Sequence, residues 1–283
     1  MKKFREGFMQ VLFMLSALVS IIAVALICIF LFANGVPAIR EIGLVDFLTG
    51  TSWKPEQNIY GILPMIIGSI YVTAGAMLIG VPIGILTALF LVHFCPAGLY
   101  RFLKPAVDLL AGIPSIGYGF FGLTVIVPAI RNGLGGSGSS MLAASVVLGI
   151  MILPTIINVS ESAIRAVPES YYEGSLALGA SHERSVFFTV LPAAKSGVFA
   201  AVILGMGRAV GETMAVIMVA GNQTAMPGGP LQGLRTLTAN IVLEMAYAAD
   251  LHRGALIATA VVLFVFILII NLSFSLLKRR AKL

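Results

Sequence analysis

The chain has 283 residues, of which 59% are hydrophobic and 11% charged; the formal net charge is +6 and the mean hydropathy +1.02. A soluble domain averages about 45–50% apolar and about 25% charged residues, so this composition excludes a soluble globular protein. Residues 7–39, 57–100, 109–130, 132–160, 213–234 and 254–277 contain no Asp, Glu, Lys or Arg, and most of these runs exceed the roughly 20 apolar residues that a spanning helix needs.

The basic excess is not a nucleic-acid signal, because it is distributed by membrane side, as the topology below shows. Cys28 and Cys95 lie in or beside apolar segments without metal-ligand spacing, and His93, His182 and His252 are far apart. Neither disulfide, metal nor other cofactor is expected. No GxxxxGK[ST] loop occurs, so the chain is not expected to bind and hydrolyse ATP in the P-loop manner. No nucleophile–base constellation suggests an intramembrane enzyme either.

The N-terminus MKKFREG runs into an apolar segment from Phe8 to Phe32. That segment is too long for a signal peptide, whose apolar core has about 7–15 residues, and reads as a first spanning helix. A polar loop over 33–60 ends in Trp53-Lys54-Pro55 and Tyr60, residues suited to headgroup depth. The second span, Ile62 to His93, contains Gly80 and Gly84, which allow close helix approach. A short connection with Arg101 and Lys104 leads to a third span over Pro105–Ile130, interrupted by Gly112, Pro114, Gly117 and Gly119. The interruption reads either as a proline kink or as backbone exposed to a ligand path, and Asp108 reads as a helix-end residue. RNGLGGSGSS, 131–140, is a flexible turn rather than a phosphate cradle, since no strand precedes it. A fourth span covers Met141 to Ser160.

Residues 161–197 form a polar island, too long for an ordinary connection of about 4–6 residues. Two short helices fit it. Pro168 suits a first turn, with Glu169 and Glu173 near its N-terminal end; Gly179 can end that helix, and Ser181 can N-cap a second running to Leu191-Pro192. A fifth span covers Val198–Ala220, and a mixed loop over 221–254 contains a short amphipathic helix in TANIVLEMAYAAD. The sixth span is Ala255–Leu277, before a basic tail.

The fold class is therefore all-α: a polytopic membrane protein with six transmembrane helices. Placing both termini, the 94–104 connection and the polar island in the cytoplasm puts 12 of the 18 Lys and Arg residues there, as the positive-inside rule requires. In the fifth span, Arg208 and Glu212 are four residues apart and would share a helix face. A charge at mid-bilayer costs about 2.5–3.5 kcal/mol and usually faces an interior or a water-filled path. Arg208, Glu212, Ser115 and Thr213 are the candidate pathway residues; mutual neutralisation of Arg208 and Glu212 is the alternative.

Glu173, Gly179, Leu191 and Pro192 stand at the spacing of the EAA loop of binding-protein-dependent ABC importer permeases, which the segment resembles. Gly174, Ser175 and Thr189 depart from that pattern at helix-surface and packing positions. Trp53-Lys54-Pro55 with Tyr60-Gly61, LLAGIPSIGYGFFGL (109–123) and GMGRAVGETMAV (205–216) are similar to the C-type permease subunits of phosphate-specific transport (Pst) systems. The resemblance covers nearly the whole chain. It implies a type I ABC importer permease fold with a MetI-like core: an N-terminal helix and external loop (1–60), a five-helix core (61–277) with a coupling loop (161–197), and a basic cytoplasmic tail (278–283). It further implies a bacterial inner-membrane location, with a related A-type permease subunit, two ATPase subunits and an external phosphate-binding protein as partners. The rival readings are a permease for another oxyanion, such as molybdate or sulfate, and a membrane receptor that does not transport.

Overall fold

The computed structural model describes residues 2–280. Of the tail expected at 278–283, residues 281–283 lie outside the described residues. In chain order the elements are α1 (Lys2–Ile42), α2 (Leu44–Thr49), β1 (Trp53–Lys54), β2 (Ile59–Tyr60), α3 (Leu63–Leu89), α4 (Ala97–Gly112), α5 (Ser115–Phe121) and α6 (Val127–Leu134). They continue with α7 (Met141–Arg165), α8 (Glu169–Ala177), α9 (His182–Ser185), α10 (Leu191–Ala193), α11 (Lys195–Gly211), α12 (Met214–Val219), α13 (Leu237–Glu244) and α14 (Asp250–Arg280). Single π-helical turns extend α3 to Phe94, join α5 to α6, and join α9 to α10.

Four helices are long and apolar enough to cross a membrane alone: Glu6–Ile42, Leu63–Phe94, Met141–Arg165 and Asp250–Ser273. Counting each of two bent pairs as one broken span brings the number to six: Ala97–Gly112 with Ser115–Leu134 at 100°, and His182–Ala193 with Lys195–Gly211 at 72°. The protein is thus all-α and polytopic apart from one two-residue hairpin, Trp53 opposite Tyr60. The α1 helix is apolar on every side from Phe8 to Phe32 and leaves those side chains uncovered, as a lipid-facing helix does. Its C-terminal part packs on α14, where Phe32 meets Phe264 edge to face at 6.1 Å.

The core lies between α3, α7, α11 and α12, around Val72, Ala76, Met151, Ile152, Ile156, Ala209, Ala215 and Val219. Gly80 and Gly84 do the packing expected of them. A Cβ at Gly80 would meet the Ile152 side chain at 2.8 Å, and one at Gly84 the Ile156 side chain at 2.7 Å. Lipid offers no hydrophobic drive between helices, so close approach through small residues is what holds such a pair.

Three elements differ from the sequence reading. The third span begins as a helix at Ala97, so Pro105 and Asp108 lie inside α4 and the chain turns at Ile113-Pro114. The fourth runs on to Arg165 because Glu161, only 4% exposed, is paired rather than solvated. Trp53, expected at headgroup depth, is covered by the protein itself: it is 5% exposed, with its indole N–H donating to Glu244 Oε2 at 2.8 Å. A buried carboxylate needs donors, and the indole supplies one.

Candidate functional site

The α11 helix ends at Gly211 because Glu212 adopts an extended backbone (φ −72°, ψ 129°). The Glu212 carboxylate then turns to α12, where Oε1 accepts the Ala215 N–H at 3.1 Å. Free N–H groups and the helix dipole make a helix start a favourable place for a carboxylate. The shared face expected of Arg208 and Glu212 required one continuous helix, and the break removes it. Among the described residues no ion pair joins them. Arg208 is half-buried, and its Nη1 donates instead to Thr155 Oγ1 on α7 at 3.2 Å.

The other candidates lie at the two breaks. Thr213 directly follows Glu212 and donates its hydroxyl to Gly211 O at 3.3 Å. Ser115 is the first residue of α5, just after the Ile113-Pro114 turn, and is half-buried. The α5 and α12 helices pack together: a Cβ at Gly119 would meet Met218 Sδ at 2.7 Å. Tyr118, one turn beyond Ser115, lies in electrostatic reach of Arg208 and donates its hydroxyl to Leu110 O at 2.6 Å. Gly207 and Gly211 have open space where a Cβ would stand. The result is a half-buried arginine whose one hydrogen bond among the described residues goes to a neutral hydroxyl.

Beyond Thr155 along α7, polar bonds tie α4 to α7. Glu161 accepts from Tyr100 (2.8 Å) and Arg165 (3.0 Å) and forms an ion pair with Lys104 at 3.1 Å. Lys104 also reaches Asp108 at 3.2 Å and Asn158 Oδ1 at 2.8 Å, and Asn158 Nδ2 donates to Asp108 at 3.0 Å. The sequence reading missed this clamp, although a signal was present. Residues 100, 104 and 108 are spaced four apart, and 158, 161 and 165 follow at three and four, so each set lies on one helix face.

The polar island folds as two short helices. Gly179 takes φ +87°, its N–H bonds to Leu176 O, and the Ala180 N–H bonds to Ser175 O. This is the two-bond Schellman ending, which the left-handed conformation of glycine permits. Ser181 Oγ accepts the Arg184 N–H and caps α9. Pro168 stands one residue before α8 rather than in its first turn. Glu173 and Pro192 are exposed, and Leu191 packs partly against the cluster of Leu89, Ile164, Val186 and Val190. Leu178 is 92% exposed and Phe188 77%, two large apolar side chains uncovered on this segment.

At the opposite end of the fold, Glu244 closes α13 and is nearly buried. It binds the Trp53 indole, His252 Nε2 at 2.9 Å and Arg235. Burial opposes its charge, but the bonds from Trp53, His252 and Arg235 together prevail and hold the carboxyl below its ordinary pKa.

Residues 80–283 match the family described as binding-protein-dependent transport system inner membrane component. The chain is 40% identical over 266 residues to the probable ABC transporter permease protein YqgH of Bacillus subtilis, covering 90% of this chain and 86% of that protein. It is 34% identical over 276 residues to the phosphate transport system permease protein PstC of Mesorhizobium japonicum, covering 90% and 84%. Two solved structures share the fold. An inward-facing MetNI methionine ABC transporter has a TM-score of 0.61 at 20% identity, covering 81% of this chain and 99% of that one. A bacterial alginate ABC transporter has 0.63 at 15%, covering 93% and 94%. On this match and these identities, the chain belongs to the binding-protein-dependent transport system inner membrane components and is a multi-pass ABC transporter permease.

Proposed function

We propose that the chain forms half of the translocation pore of an ATP-driven importer of inorganic phosphate. The observation that carries the proposal is Arg208. Its guanidinium lies beside a break in the fifth span and is met by a neutral hydroxyl rather than a carboxylate. A guanidinium offers a planar fork of donors suited to phosphate oxygens. The names of the relatives support phosphate as the anion. The chain acts as a transport subunit, and ATP hydrolysis belongs to two partner subunits that dock on residues 161–197 at the cytoplasmic face. The uncovered Leu178 and Phe188 support such docking. A related A-type permease supplies the other half of the pore, and an external binding protein delivers phosphate to the loops at 33–60 and 221–254. Closure of the ATPase pair moves the coupling segment and switches the pore between outward and inward access.

Glu212 sharpens the selectivity. Phosphate near neutral pH retains a proton and sulfate does not, so a carboxylate accepts a hydrogen bond from the first and repels the second. One Glu212 oxygen is held by the Ala215 N–H, which leaves the other for this task. Glu212→Gln therefore raises sulfate uptake relative to phosphate in receptor-independent transport; unchanged selectivity would refute this role.

The test of the main proposal is radiolabelled phosphate uptake in cells lacking their own importer, with the chain co-expressed with its partners beside an Arg208→Gln version that assembles normally. Uptake by the wild type and its loss in the variant support the pore. Uptake in both demotes Arg208 to structure. No uptake of labelled phosphate beside uptake of labelled sulfate or molybdate would transfer the assignment to another oxyanion.

A further inference from the structure

We infer that Thr155 is a second ligand for the transported anion, its hydroxyl acting beside Arg208. The inference rests on the reading that Arg208 lies on the anion's path. A threonine hydroxyl has one proton to donate and lone pairs to accept with. In a helix that proton usually goes to the carbonyl four residues back. It does so here at Ser16, Ser20, Thr124, Ser162 and Thr259, which bond Leu12 O, Ser16 O, Phe120 O, Asn158 O and Ala255 O. Thr155 makes no such bond among the described residues. Among the described residues its one hydrogen bond is the one it accepts from Arg208 Nη1, so none of them takes its proton. Thr213 differs in this respect, because its proton goes to Gly211 O.

A guanidinium hydrogen-bonded to a hydroxyl that still has its proton to give offers donors from both groups. A ligand that carries several acceptor oxygens, as an oxyanion does, satisfies both at once. The contact also fixes one guanidinium nitrogen and leaves the remaining N–H groups of the fork available. A neutral hydroxyl strengthens the station without a second full charge, and transport requires a site weak enough to release its ion.

The experiment uses the complete transporter, with both permeases, the ATPase pair and the binding protein, in proteoliposomes. Thr155→Val keeps the branched shape and removes the hydroxyl; Thr155→Ser keeps the hydroxyl. Phosphate uptake falls about tenfold in Thr155→Val, the worth of one hydrogen bond to a charged group, with assembly unchanged, and stays within about twofold of wild type in Thr155→Ser. Wild-type uptake in Thr155→Val overturns the inference, and so does equal loss in both variants, since the side chain's shape would then be what matters. A second readout holds even if Thr155→Val assembles poorly. With Cys28 and Cys95 replaced by serine, Thr155→Cys reacts with a small charged thiol reagent, and inorganic phosphate protects it; no labelling, or labelling that phosphate leaves unchanged, overturns the inference. Arg208→Gln is measured in parallel. Normal uptake in that variant removes the underlying path reading. Loss there beside normal uptake in Thr155→Val removes only the role of Thr155.

Discussion

Two half-buried or buried arginines in this protein are treated in opposite ways. Arg235 is surrounded by acceptors: the Glu244 carboxylate, Asn240 Oδ1 at 3.0 Å and Asn222 O at 3.1 Å. Its side chain is 14% exposed and that of Glu244 8%. Arg208 has one neutral hydroxyl at 3.2 Å. A buried charge without a partner is costly, so an arginine whose only work is structural is expected to look like Arg235. Leaving Arg208 under-compensated makes physical sense where an anion completes its shell. The contrast separates a charge whose acceptors come from within residues 221–254 from one with a single neutral contact among the described residues.

Substitution should separate the two roles. Arg208→Gln reduces phosphate uptake to background while leaving the thermal unfolding of the assembled complex near that of wild type. Arg235→Gln does the reverse at first order. It leaves the buried Glu244 with Trp53 and His252 but without its guanidinium, and breaking a buried pair costs about 3–5 kcal/mol, read as a lowered unfolding temperature. If Arg208→Gln unfolded as early as Arg235→Gln, both arginines would be structural and the contrast would collapse.

Acid gives a gentler probe of the same cluster. The folded-state pKa of Glu244 is lowered, so its contribution is fully present above the ordinary carboxylate value of 4.5 and is lost as pH falls through the lowered folded value. Unfolding temperature should therefore drop below about pH 4.5 in wild type and depend less on pH in Glu244→Gln. Equal pH dependence in both would remove Glu244 as the group responsible. The smallest effect is expected at the coupling segment. Gly179 has open space where a Cβ would stand but a φ of +87°, so Gly179→Ala meets strain rather than a clash, worth about 1 kcal/mol. Faster amide exchange at Gly179 and Ala180, with the helices of the core unchanged, is the expected result.

Much of the fold was legible in the residue order. Local chemistry explains why Ser181 caps and Gly179 ends a helix, because each acts on backbone groups within a few residues. The pair Gly80 and Gly84 announced a close helix contact, although not that Ile152 and Ile156 would fill it. The Arg208–Glu212 pair went the other way. Their spacing suggested mutual contact, but that inference assumed a helix that the extended Glu212 backbone interrupts. The partner of the Trp53 indole was also out of reach, since it lies 191 positions away, beyond any periodicity argument.

Composition and the order of apolar runs were sufficient to determine that the chain crosses a membrane several times, because a spanning helix must satisfy its own backbone hydrogen bonds and cover itself with apolar side chains. Those are local requirements, written into about 20 consecutive residues. Which polar side chains meet inside the bundle is not a local matter. The 100° and 72° bends bring distant segments together; packing of α4, α7 and α11 then decides that Glu161 meets Tyr100 and Lys104 and that Arg208 meets Thr155. Tertiary structure alone could decide those pairings, since the desolvation of each charge depends on neighbours that the chain supplies from far along its length.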